Sequence, residues 1–184
     1  MDPFLLTTRF SNETWRENTE YRNRYEFKGC IYGSPTPLCC KIPEGVGVFV
    51  IEMNNSLNRI EGIGYVRNTV RHDKYFKIYE GPDKMHFNSY VFRGQTRVDR
   101  DYIGEENPEL LIILDYILFK EKTHLKRGGG ITRIPHKLLI HEKCNKKNIP
   151  KEIKILFQKY ICHRQPHLTN PIQKQVKISP QCQT

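Results

Sequence analysis

Residues 45–68, GVGVFVIEMNNSLNRIEGIGYVRN, decide the fold. Val46, Val48, Val50 and Ile51 make an apolar, β-rich run, and Asn54-Asn55-Ser56 carries turn chemistry. Ile60, Ile63, Tyr65 and Val66 make a second run, interrupted by Gly62 and Gly64. Two β-branched runs about an Asn/Ser turn predict an antiparallel hairpin. The first run is apolar at nearly every position, which predicts a strand covered on both faces. The glycines of the second mark places where a backbone bends or another group comes close. The hairpin is therefore expected at the centre of a small curved sheet or barrel.

Upstream of it, FLLTT (residues 4–8) suits a first strand. Ser11 or Asn12 is a good N-cap, and Glu13 and Glu17 favour an early helical turn, so a mostly solvent-facing helix carrying Trp15 is expected over 13–22. Residues 27–32 read as a strand ended by Gly33-Ser34-Pro35, and the three prolines of SPTPLCCKIPEG read as a loop. Downstream, YFKIY (75–79) and the segments 90–93 and 95–98 read as strands. Asn107-Pro108-Glu109 is a helix start: a cap, a proline at the first helical position and an acid in the first turn. The helix should run over 110–122 and stop by Gly128-Gly129-Gly130. Pro135 opens a short helix through 141, and 151–162 is amphipathic, with Ile153, Leu156, Phe157, Tyr160 and Ile161 on one stripe. From residue 164 a flexible, proline-bearing tail is expected.

The 184 residues fit one domain with an appendage. The longest apolar stretch, 110–119, contains Asp115, so no membrane partner is expected. MDPFLLTTRF lacks the pattern of a secretory signal, and the six cysteines are too sparse for a disulfide scaffold, which together predict an intracellular protein. Alanine is absent while Ile, Asn and Lys abound, the signature of an AT-rich genome such as that of a large DNA virus.

The net charge of +10 is uneven. Residues 1–119 hold 15 Lys and Arg against 17 Asp and Glu; residues 120–184 hold 15 against 3. A long cationic excess suits a polyanion, RNA or DNA first and an acidic protein second, although it also suits a plainly solvated face. Within it, HLKRGGGITRIPHK (124–137) places Lys126, Arg127, Arg133 and Lys137 around glycines, Gly129 among them, whose amides can approach a phosphate. Arg67 and Arg71, with Lys74, and Arg97, with Arg93 and Arg100, form two more basic clusters near predicted strand ends. The loop lacks the Gly-Lys-Ser/Thr of a P-loop, which excludes nucleotide hydrolysis by that route.

Three stretches carry a resemblance. PFLLTTRFSNETWREN (3–18), FKGCIYGSP (27–35) and KIPEGVGVFVIEMNNSLNRIEGIGYVRN (41–68) resemble, in order and character, the PUA-like superfamily and its EVE and YTH branches, over roughly residues 3–100. The resemblance departs where Glu44-Gly45-Val46-Gly47 stands in place of a Gly-Asp, and in a single tryptophan where the YTH cage uses several. It implies an α+β fold, a PUA-like curved sheet or β-barrel (1–123) with flanking helices; the basic helical C-terminal extension (124–163) is read from the residues and has no counterpart in the resemblance. The resemblance also implies a pocket beside the hairpin that accepts one base, modified or not. The candidates for stacking are Trp15, Phe10, Tyr32 and Tyr65; those for polar contacts are Thr8, Asn12, Ser34, Asn54 and Asn55.

No cofactor is required by this reading. Zinc is offered by His141-x-x-Cys144 and Cys162-His163. The acids Asp99, Asp101, Glu105, Glu106 and Glu109 suit either a metal-dependent nuclease or the start of a helix. No Gly-x-Ser-x-Gly or His-Glu-x-x-His occurs. The expectation is a non-enzymatic nucleic-acid binder, with a viral structural or host-interaction protein and the nuclease as alternatives.

Overall fold

The computed structural model describes residues 3–73, 75–120, 124–144 and 146–164. The hairpin forms as expected. Strand β3 (Gly47–Asn54) pairs antiparallel with β4 (Arg59–Arg67), with an irregularity at Glu52/Met53. β3 also pairs in parallel with β1 (Phe4–Phe10), Phe4 opposite Val48 and Phe10 opposite Asn54. A parallel pair needs a crossover connection. Helix α1 (Asn12–Arg24), strand β2 (Cys30–Ser34) and the proline-rich loop supply it. Ser11 caps α1 in a reciprocal capping box with Thr14.

Strand β6 (Thr96–Asp99) joins β4 on one edge, and the two-residue β7 (Thr132–Arg133) joins β1 on the other. The sheet order is β6-β4-β3-β1-β7, and its two edges do not meet, so the expected barrel is an open mixed sheet in an α+β fold. A second sheet of two strands, β2 with β5 (Tyr90–Gly94), lies against one face. Glycines permit that approach. A Cβ on Gly64 would fall 2.1 Å from the Tyr32 hydroxyl, and one on Gly94 would fall 1.8 Å from the Tyr65 carbonyl.

Residues alternate between two cores. Leu5, Phe49, Ile51, Met53, Ile63 and Val98 face helices α2 (Arg100–Glu106), α3 (Pro108–Phe119), α4 (His136–Leu139) and α5 (Ile149–Arg164). Leu6, Phe10, Val48, Val50 and Val66 face the second sheet together with Tyr21 of α1. β3 is buried along almost its whole length, as its unbroken apolar run predicts.

Several expectations need adjusting. Residues 75–79 form no strand; Phe76, Ile78 and Tyr79 are buried from a loop, held by Asn88 Oδ1, which accepts from the amides of Ile78 and Tyr79 at 3.0 and 3.1 Å. The acids at 99–106 belong to a short helix, α2, capped by Asp99 accepting from Tyr102 N at 2.9 Å. Helix α1 is mostly solvent-facing, as expected, and buries only Asn18 and Tyr21. Lys74 and the expected tail beyond Arg164 lie outside the described residues.

Candidate nucleic-acid interface

Of the residues predicted to form a base pocket, all but Tyr65 lie towards the end of the sheet where β1 and β3 finish, and there their side chains are taken up by contacts within the fold. Phe10 is buried and meets Trp15 edge-on, with ring centroids 5.2 Å apart. The guanidiniums of Arg22 and Arg97 lie over the Trp15 ring, 5.5 and 5.4 Å from its centre. Tyr32 is fully buried and donates to Glu52 Oε1 at 2.7 Å. Asn54 Nδ2 donates to Glu61 Oε1 at 2.9 Å and to Asn12 Oδ1 at 3.2 Å, while its Oδ1 accepts from the turn amides of Ser56 and Leu57. Asn55 Nδ2 donates to Lys126 O at 2.8 Å. Ser34 is buried and accepts from Thr36 N at 3.4 Å. Thr8 lines a cavity of about 40 Å³ with Arg9, Thr14, Gly33, Tyr79, Phe87 and Gly130. That is little more than one water molecule's share of volume, too small for a base.

The centre of this closed end is an ion pair. Glu52, 1% exposed, accepts from Arg97 Nη2 at 2.7 Å and from its Nε at 3.0 Å. Arg97 Nη2 also donates to Glu61 O at 2.9 Å. Burial works against the Arg97 charge, but Glu52 more than restores it, and the pKa lies above its ordinary value. Arg97 was expected to hold phosphate; it is instead consumed inside the fold. Burial also pushes the Cys30 thiol and the Tyr79 phenol each up to about 12.

The opposite end is open. Between the start of β3, the end of β4 and helix α5 lies a cleft of about 380 Å³. Gly47, Phe49, Tyr65 and Thr96 line its sheet side, with Pro3; Lys154, Phe157, Gln158 and Ile161 line its helix side. Phe49 is the floor, with its ring 5.2 Å from Tyr65 and 4.7 Å from Phe157. The Tyr65 hydroxyl lies where a Cβ on Gly47 would be, 1.8 Å away, so only glycine lets the tyrosine lie across β3. Phe49 and Phe157 are nearly buried, whereas Tyr65 is half-buried and Ile161 is 44% exposed. Among the described residues, neither this cleft nor the adjoining hollow of about 630 Å³, which shares Pro3 and is edged by Arg133 and His136, has an Asp or Glu in its lining. A volume of this order is in the range of small-molecule and single-base sites.

The predicted phosphate contacts divide between the two ends. Arg67 is exposed, opposite Gly47 in the hairpin register and thus near the cleft, and donates to Gly45 O at 3.1 Å. Arg133 and Lys137 are exposed near the hollow, Arg133 over the Phe4 ring at 5.3 Å. Lys126, Arg127 and Gly129 stand at the closed end, beside Asn55. Arg71 is paired with Asp73 at 2.8 Å. Seven strand residues separate the ends, about 23 Å. The glycine-rich loop and the cleft therefore do not touch the same nucleotide.

Among the described residues the expected zinc site does not assemble, and no three His, Cys, Asp or Glu side chains converge. Cys144 is buried and donates to Leu138 O at 3.5 Å, Cys162 is exposed on α5, His163 Nδ1 meets the Tyr102 hydroxyl at 3.2 Å, and His141 Nδ1 accepts from Lys143 N at 3.1 Å. Three of the five carboxylates at 99–109 are engaged within the fold: Asp99 caps α2, Glu106 pairs with Lys159 at 3.2 Å and Glu109 pairs with Lys147.

No protein family, curated protein or solved structure matches the chain.

Proposed function

We propose that this chain binds nucleic acid, taking one base into the cleft between the hairpin and α5 and holding adjoining phosphates with the cations of the C-terminal third. The observation that carries the reading is the composition of the cleft: an aromatic floor, a tyrosine on one wall, a lysine on the other, and, among the described residues, no carboxylate in its lining. Any base can stack on an aromatic face, and the cations supply the attraction for phosphate. Lys151 and Lys154 are exposed on α5, and Arg67 stands near the facing edge. The resemblance of residues 3–100 to PUA-like domains, EVE and YTH among them, supports a single-base reader, and it extends the reading to a modified base.

The test is fluorescence anisotropy of the full chain with single-stranded RNA and DNA over roughly 50–200 mM salt. The expected result is affinity that falls linearly on a log–log plot and is weakened in Tyr65→Ala. Binding to neither polymer, or binding indifferent to salt, refutes the proposal. A capture from extract that survives nuclease treatment would instead assign the cations to an acidic protein.

A further inference from the structure

Four buried side-chain polar atoms have no hydrogen-bond partner among the described residues: Arg9 Nη1, Asn55 Oδ1, His124 Nδ1 and Glu17 Oε2. Glu17 is already paired with Lys84 at 2.6 Å, so its charge is met. The other three gather around one short piece of chain, 124–126. Arg9 Nε donates to Leu125 O, Asn55 Nδ2 donates to Lys126 O at 2.8 Å, and His124 is the first residue of the piece. Buried polar groups in native proteins are almost always satisfied, so a cluster of exceptions points to something that fills it.

Arg9 is the centre of the cluster. Its engaged nitrogens donate only to neutral oxygens, Leu125 O and, at 2.9 Å, Thr132 Oγ1. It has no ion pair among the described residues, and burial lowers its pKa from the ordinary value. A guanidinium drawn out of water without a counter-ion is costly to keep. The contrast with Arg97, which is paired with Glu52, is within the same fold. Arg9 also lines the cavity of about 40 Å³, beside Thr8, Thr14 and Gly130. Gly128 and Gly130 have φ of +102° and +68°, which favour glycine and shape the loop there, and the loop brings Lys126 and Arg127 to the same end of the sheet.

We propose that Arg9 and the glycine-rich loop seat one phosphate group. The cavity takes an oxygen or two of an oxyanion and excludes a base, and a guanidinium meets such an anion with directed, charge-assisted bonds. The seat lies at the far end of the sheet from the cleft, and its existence does not depend on the cleft binding a base. The same chemistry is offered by free phosphate and by a phosphate of a nucleic acid.

Isothermal titration of the full chain with inorganic phosphate, against chloride at equal ionic strength, tests the seat. Saturable binding is expected, weakened at least about tenfold in Arg9→Gln, several-fold in Lys126→Gln/Arg127→Gln, and unchanged in Tyr65→Ala. No saturable binding by the wild type, or equal binding by Arg9→Gln, overturns it. Arg9 also ties β1 to residues 125 and 132. Should Arg9→Gln fail to fold, the wild-type titration and the loop variant decide. Competition by a 5′-phosphorylated trinucleotide, and not by its 5′-hydroxyl form, assigns the seat to nucleic acid; no competition by either assigns it to free phosphate. Loss of oligonucleotide binding with phosphate binding intact would condemn the cleft alone.

Discussion

The two ends of the central sheet are built from similar residue types and arrive at opposite results. Both contain aromatic rings, arginines or lysines, and glycines on β4 or beside it. At the closed end Arg97 has an acid within reach, Glu52, while Trp15 is overlain by guanidiniums and Tyr32 is hydrogen-bonded to carboxylate. At the open end no acid is in the lining among the described residues, and a tyrosine and a lysine face a common space. Residue type alone therefore does not assign a side chain to structure or to binding; the presence of a counter-charge does.

The comparison can be broken in several ways. The largest effect should come from Glu52→Ala, which leaves Arg97 buried and unpaired: a loss of about 3–5 kcal/mol in urea denaturation. A loss as small as that of a surface mutant would mean the closed end is wetter than described. Next is alkaline pH. Cys30 and Tyr79 have folded pKa values of about 12, above ordinary values of 9.0 and 10.0. The unfolded chain gives up those protons first, so stability is intact below about pH 9 and falls as pH rises towards 12, by at most roughly 1.4 kcal/mol per pH unit for each group. Flat stability from pH 9 to 11, followed by circular dichroism, would contradict that burial. Tyr65→Ala should reduce single-strand affinity by about 1–3 kcal/mol, with Tyr65→Phe close to wild type. The smallest effect is Lys154→Gln, which should lower the slope of log affinity against log salt by about 0.7 and weaken all sequences alike. A change that depends on base identity would place Lys154 against a base instead.

The hairpin, the first strand, the capped helices and the α5 stripe were legible because each rests on local chemistry: period, cap or turn. The burial of β3 on both faces followed from its unbroken run. The barrel was not legible, because closure depends on whether β6 and β7 meet, and no local pattern encodes that. The strand expected at 75–79 alternates correctly, but Asn88 captures the amides of Ile78 and Tyr79 from outside any sheet. For the site, Tyr65 alone of the predicted base contacts lines the cleft. Phe49 and Phe157 read as core, which they are, while Lys154 and Gln158 look like any exposed helix face. One signal pointed to them: Ile161 ends the apolar stripe of α5 yet remains 44% exposed, so the stripe outruns the core it covers.

The place of β7 has a consequence for how the chain is made. The outer edge of the first strand is completed only when Thr132 and Arg133 pair with Thr7 and Leu6, and Ile134 N reaches Leu5 O at 3.0 Å. A ribosome adding about 5–20 residues per second needs roughly 6–25 s to travel from one partner to the other. During that interval FLL stands as an uncapped, sticky margin open to any neighbouring strand. Nascent chains released before residue 134 should be the species that aggregate, and those released after it should not.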